Sequence, residues 1–210
     1  ALMVVLNYFG VQNASVFQTI VTFLIVIVGG AFVIAAIFNG DSSNLVPHFN
    51  EVVKENNPFN PVWAGMLPVL MMVPFMFVGF DVIPQTAAEI DLPAKSIGKL
   101  LIISVFAAMF FYCSIIFGVS MALPQEAMDA KILSTPQAMQ AVFWDSPWAA
   151  KIMVVAGLAG IVTSWNAFFI GGSRAIYALA HAKMLPEFLG RLHPKYKTPH
   201  NAVLLIGICT

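Results

Sequence analysis

Residues 62–91 read VWAGMLPVLMMVPFMFVGFDVIPQTAAEID. The stretch is long and apolar enough to enter a membrane, yet it holds Pro68, Pro74 and Pro84, Gly65 and Gly79, and a carboxylate at Asp81. An interior proline costs a helix about 3 kcal/mol. An acid near the bilayer centre costs about 2.5–3.5 kcal/mol on insertion scales. A plain anchor would carry neither. Two readings fit. In one, the helix is broken at membrane depth, which is tolerated only where the backbone is buried in protein or lines a wet cavity. In the other, the uncharged run Val62–Phe80 is a straight span of about 28 Å, with Asp81 at its interfacial end.

Sixty per cent of the chain is apolar and ten per cent charged, against about 25% charged in soluble domains. This composition is that of an integral membrane protein. Ten Lys+Arg balance ten Asp+Glu, so net charge indicates neither nucleic acid nor an acidic partner, and the distribution of charge matters instead. Cys113 and Cys209 sit in apolar runs without CxxC spacing and read as packing residues rather than a disulfide or metal pair. The chain opens on an apolar stub and stops just inside another apolar run. It reads as an internal fragment of a longer protein, with no basic n-region or cleavage site of a signal peptide.

Val16–Phe38, Leu100–Leu123 and Ile152–Ser173 are uncharged or nearly featureless apolar runs that exceed the roughly 20 residues needed to cross a 30 Å core. With the proline-interrupted segment they make four full spans. The expected spans are 14–38, 62–90, 97–123 and 149–182, with partial spans at 1–9 and 201–210, all in one transmembrane domain over 1–210. The loops set the orientation. Loop 39–61 holds Lys54 against Asp41, Glu51 and Glu55, and 124–151 holds Lys131 and Lys151 against Glu126, Asp129 and Asp145. The alternate loops hold Lys95 and Lys99, then Arg174, Lys183, Arg191, Lys195 and Lys197. The positive-inside rule therefore predicts 89–99 and 174–201 in the cytoplasm. Small residues, Gly29, Gly30, Ala31, Ala35 and Ala36 in one span and Gly157, Gly160, Gly171, Gly172 and Ser173 in another, predict close helix packing. Trp63, Trp144 and Trp148 fall at the outer boundaries as anchors, whereas Trp165 lies mid-span.

Three motifs carry a resemblance. Phe77-Val78-Gly79-Phe80-Asp81, followed by Gln85-Thr86-Ala87-Ala88-Glu89 and Leu92-Pro93-Ala94-Lys95 with Ile97, resembles the sixth span and following loop of the amino acid–polyamine–organocation (APC) transporters. Ser173-Arg174-Ala175-Ile176-Tyr177-Ala178-Leu179-Ala180, with Leu185-Pro186, His193-Pro194-Lys195 and Thr198-Pro199, is similar to the eighth span and its cytoplasmic loop. Leu6-Asn7, Gly10-Val11 and Gln18-Thr19 look like the start of the fifth. The three occur in the family's order and cover essentially the whole chain.

The resemblance implies an all-α integral membrane fold of two inverted five-helix repeats with a discontinuous span six. On that register the chain holds the end of span four, spans five to eight and the start of nine. The rest of its own chain, spans one to four and nine onward, is then an implied partner beside the bilayer and a small-molecule amino acid. The expected break lies at Phe75–Asp81, where freed carbonyls hold a substrate ammonium. The implied substrate-binding residues are Phe75, Met76, Phe77, Val78, Gly79, Phe80 and Phe168, with Phe75 and Phe168 as aromatic gates. An aromatic in so Phe-rich a chain is also an ordinary core or lipid-facing residue. Asp81 reads either as a gating or proton-coupling acid or as the N-cap of the following half-helix. Glu89 and Asp91 read as a solvated loop face.

Some members of the family carry a lysine in span five in place of a sodium ion. The aligned residue here is Ile25, and Val16–Phe38 holds no charge. Thr163 and Ser164 are candidate oxygen ligands for sodium, although hydroxyls in membrane helices usually bond their own backbone. The coupling ion is thus H+ or Na+, with no other cofactor. His48, His181, His193 and His200 lack metal spacing, and Arg174 and His181 read as side chains that snorkel to the inner interface. His181 stands where the family usually has a basic residue.

Together these imply a secondary transporter of amino acids in the cytoplasmic membrane, not an enzyme, working by alternating access and without a nucleotide-binding loop. A single acid near the site favours neutral substrates over cationic amino acids or polyamines. A membrane-embedded sensor on the same fold would need an added signalling domain. A channel would need polar rings along the spans, which are absent apart from Asp81.

Overall fold

A computed structural model describes residues 2–8, 11–45, 61–80, 82–87, 93–124, 127, 134–194 and 196–209. Among them the regular structure is helical: α1 (Leu2–Tyr8), α2 (Val11–Asn39), α3 (Pro61–Met76), α4 (Val82–Gln85), α5 (Ala94–Ala122), α6 (Ser134–Val142), α7 (Pro147–His181) and α8 (His200–Cys209). One-turn 3-10 helices occur at Ser42–Leu45 and Glu187–Gly190.

Among the described residues, three helices are long and apolar enough to cross a membrane, at Ala14–Asn39, Lys95–Ala122 and Pro147–His181. The 35 residues of α7 measure about 52 Å at 1.5 Å per residue. That is longer than a hydrocarbon core of about 30 Å, so the helix tilts or projects beyond the core. Along α5, Ile102, Phe106 and Phe110 are exposed. A helix apolar on every side has no face suited to water, so these side chains suit lipid or further protein. The fourth stretch behaves differently: α3 has 16 residues, and the helix does not continue unbroken to Phe80, as a straight span would require.

The described chain divides into two compact units, and each long helix contributes a stretch to both. The unit formed by 28–78 and 105–155 has a core of Phe32, Ala36, Leu123, Ala138, Met139, Val142, Ala149 and Met153. Glycines on α2 and α5 let aromatic rings lie against backbone. A Cβ on Gly29 would come within 2.7 Å of Phe111 Cζ, and one on Gly118 within 2.9 Å of Phe32 Cε1. A Cβ on Gly30 would meet nothing within 4 Å, so of the two adjacent glycines only Gly29 makes a close approach.

Beyond α2, the Gly40 amide donates to Ala36 O at 2.8 Å and the Asp41 amide to Met121 O at 3.0 Å. Asn44 Nδ2 reaches the same Met121 carbonyl at 3.1 Å. Asp41 Oδ1 accepts from the Ser43 amide at 2.9 Å. This backbone bond, with a second from the Ser43 side chain, holds the Asp41 carboxyl below the usual carboxylate range. Trp144 and Asp145 turn the chain into α7 with φ of 50° and 53°. Trp144 and Trp148 are exposed, and Lys151 Nζ sits 4.7 Å over the Trp148 ring, a cation–π placement.

The unit formed by 1–27, 79–104 and 156–210 centres on Phe169 and Val203, with Val4, Phe17, Val162 and Ile206 packed around them. Gly207 on α8 lies directly against Val4 on α1. The Thr198 hydroxyl donates to Tyr8 O at 3.1 Å, and the Tyr8 ring meets His193 and His200 edge-on at 5.5 and 6.3 Å. These two histidines serve packing around the end of α1. Cys113 and Cys209 are free, as expected, but exposed rather than packed.

Candidate functional site

The interruption in the proline-bearing stretch is narrower than the sequence suggests. Pro68 and Pro74 lie inside α3, and Phe75 and Met76 remain helical, with Phe77–Phe80 forming the turn. The reason is that proline removes its own N–H and disturbs the preceding turn, while its φ of about −65° suits a helix, so the next residues can stay helical. Phe77 N then donates to Pro74 O at 3.3 Å and Val78 N to Phe75 O at 3.2 Å, tightening the last turn as helix ends commonly do.

Met76 O, the last carbonyl of α3, is met from another helix. The Tyr112 hydroxyl on α5 donates to it at 3.2 Å, and the Tyr112 ring packs edge-to-face on Phe77 with centroids 5.8 Å apart and planes at 84°. Ser104 and Ser114, also on α5, turn their hydroxyls back to their own helix, to Leu101 O and Phe110 O.

Gly79 has φ of +114°, a conformation that side-chain-bearing residues rarely adopt. Beyond it the chain turns back into helix: Val82 N donates to Gly79 O and Ile83 N to Phe80 O, each at 3.2 Å. The Thr86 hydroxyl closes α4 onto Val82 O at 3.0 Å. This short helix sits against Gly171 of α7. A Cβ there would run into Gln85 Oε1 and lie 3.1 Å from Val82 Cγ2, so Gly171 permits the approach.

Around the interruption Phe75 is 79% exposed, and Met76, Val78 and Phe80 are about half exposed. Phe168 on α7 is also half exposed; it belongs to one compact unit and Phe75 to the other. Asp81, Glu89 and Asp91 lie outside the described residues. The Thr163 and Ser164 hydroxyls both donate to Gly160 O, at 2.8 and 3.0 Å, and their oxygens keep lone pairs. Ile25 Cδ1 lies 3.7 Å from where a Gly160 Cβ would be. Ile25 thus packs toward Gly160, whose carbonyl accepts from both hydroxyls.

One turn beyond Thr163 stands Asn166, with no exposed surface. Its Oδ1 accepts from Asn7 Nδ2 at 2.9 Å, and its Nδ2 donates to Gln18 Oε1 at 3.1 Å and Ala14 O at 3.4 Å. Arg174 does not snorkel: it is 8% exposed, and its Nη1 donates back to Ile170 O at 3.1 Å and to Ser173 Oγ at 2.9 Å. His181 is exposed and rests on Tyr177 at 4.4 Å. Among the described residues, no three of His, Cys, Asp and Glu converge as metal ligands.

Tyr112 and Asn166 were missed in the sequence. Each carried a signal: a phenol well inside an apolar helix, and an amide in a run with no charge to pair with it, both of which need a partner in lipid.

Long apolar helices and an interrupted fourth segment define a multi-pass helical membrane protein. The chain belongs to the amino acid permease family, whose model matches residues 1–210. It is 26% identical over 186 residues to a chloroplastic cationic amino acid transporter of Arabidopsis thaliana, covering 86% of this chain and 31% of that protein. It is 25% identical over 206 residues to a branched-chain amino acid permease of Bacillus subtilis, covering 96% and 41%. A second Arabidopsis cationic amino acid transporter is 28% identical over 198 residues, covering 93% and 31%. The chain thus spans between about a third and two fifths of the length of these curated relatives. The family and these relatives are named as transport proteins, not enzymes.

Proposed function

We propose that the chain is part of a secondary active transporter of amino acids in the cytoplasmic membrane, with the substrate ammonium held by main-chain carbonyls at the interruption after α3. The observation that carries this reading is the helix end at Met76 followed by Gly79 in a conformation reserved for glycine. The negative end of a helix dipole attracts a cation, and carbonyls that accept one hydrogen bond keep a second lone pair for it. On this reading the segment is span six of an inverted repeat and works by alternating access, with Phe75 and Phe168 as gates and Asp81 as cap or gating acid. Thr163 and Ser164 are the candidate ligands should the coupling ion be Na+, and Asp81 the carrier should it be H+.

Neutral amino acids are the favoured substrates, since Asp81 is the lone acid within the apolar stretches and leaves a second substrate charge without a partner. A cationic reading draws support from the Arabidopsis relatives named as cationic amino acid transporters. The deciding experiment is uptake into liposomes by the full-length protein, comparing labelled leucine, alanine and arginine under separate proton and sodium gradients. Preference for arginine would replace the neutral reading, and no uptake of any of the three would remove the transport reading.

A further inference from the structure

We propose that Tyr112 is a positioning residue for the substrate's ammonium group, acting through the Met76 carbonyl; this rests on the reading of the interruption as the substrate site. Met76 O ends α3, so it is among the carbonyls that carry the negative end of that helix. The two preceding helix-end carbonyls, Pro74 O and Phe75 O, are met by local amides, while Met76 O is met by the Tyr112 hydroxyl from α5. A carbonyl oxygen has two lone pairs. One bond from Tyr112 therefore fixes the direction of this group and leaves the other lone pair for a cation. Tyr112 also grips the next residue, since its ring edge-packs on Phe77, so one side chain holds both the last carbonyl of the helix and the first residue of the turn. A binding group held in place beforehand loses less freedom when the ligand arrives. The ring and the hydroxyl can be separated by mutation, because Tyr112→Phe keeps the packing on Phe77 and removes only the hydrogen bond.

The test uses full-length protein in liposomes, with labelled leucine as substrate and two competitors, unlabelled leucine and its 2-hydroxy acid, which lacks the ammonium. Tyr112→Phe is expected to raise the leucine KM about three- to tenfold, as loss of one hydrogen bond predicts, while maximal uptake stays within about twofold. Inhibition by the 2-hydroxy acid stays as in the wild type. Should Tyr112→Phe lower uptake capacity, the leucine-induced rise in unfolding temperature of purified protein replaces KM. That rise shrinks in Tyr112→Phe and not in Ser114→Ala, whose hydroxyl bonds its own helix. An unchanged or lowered KM, or equal weakening of both competitors, overturns the inference while leaving the transport reading standing. Failure of the wild type to move or bind leucine, alanine and arginine overturns both.

Discussion

Asn7 and Asn166, 159 residues apart in sequence, meet amide to amide at 2.9 Å with both side chains buried. Asn166 uses its other end on Gln18 and Ala14 O, so one amide ties α1, α2 and α7 together. An amide in an apolar interior is costly to leave unpaired, which makes this network selective for one arrangement of the three helices.

Replacing Asn166 with leucine removes the hub and strips one partner each from Asn7, Gln18 and Ala14 O. The expected loss is about 1–3 kcal/mol, the cost of buried polar groups deprived of a bond. It is read as a lower unfolding temperature of the full-length protein in detergent. An unchanged unfolding temperature would show that the network contributes nothing to stability.

Gly171→Ala places a methyl group where Gln85 and Val82 already stand. Relieving that overlap must move α4 or the Gln85 side chain, at a cost of about 1–3 kcal/mol. Gly157→Ala, where nothing lies within 4 Å, serves as the control. The pair is compared by thermal unfolding and by transport, and Gly171→Ala should lose on both counts.

Gly79→Ala forces a side chain onto φ of +114°, which costs of the order of 1–3 kcal/mol. The turn after Phe77 must then adopt another path, so ligand affinity at the interruption should fall more than global stability. Leucine binding by the purified variant, measured beside its unfolding temperature, separates the two effects.

Asp41 gives the loop after α2 a pH dependence. Its carboxyl is held below the usual range by the Ser43 hydrogen bonds, so the charged form is favoured in the fold. That contribution is present above the unfolded-state value and is lost as pH falls through the lower folded one. Acidification from about pH 6 to pH 3, across the carboxylate range, should therefore weaken this loop. Asp41→Asn should flatten the local response, as read by hydrogen exchange at the Asp41–Ser43 amides.

Much of this was legible in the sequence. The long spans follow from uncharged length, because hydrocarbon thickness sets how many apolar residues a helix needs, and the motifs about Gly79 and Arg174 were enough to place the family. The proline-bearing stretch was legible as an interruption but not at its true start, since Phe75 and Met76 are helical after Pro74 for reasons of backbone geometry that composition does not record. Gly29 and Gly30 look alike in sequence, yet only Gly29 faces an aromatic ring. Arg174 looked like a residue bound for the interface, yet it is buried and one of its nitrogens bonds back to its own helix.

The sequence by itself determined which segments are apolar enough to span and which one carries the residues that can break a helix, because transfer cost and backbone sterics act locally. The tertiary structure decided what meets the groups those segments leave unpaired: Tyr112 at Met76, 36 residues away, and Asn166 at Asn7. Such pairings depend on which helix faces lie side by side, and a side chain acquires its partner only when packing brings the two faces together.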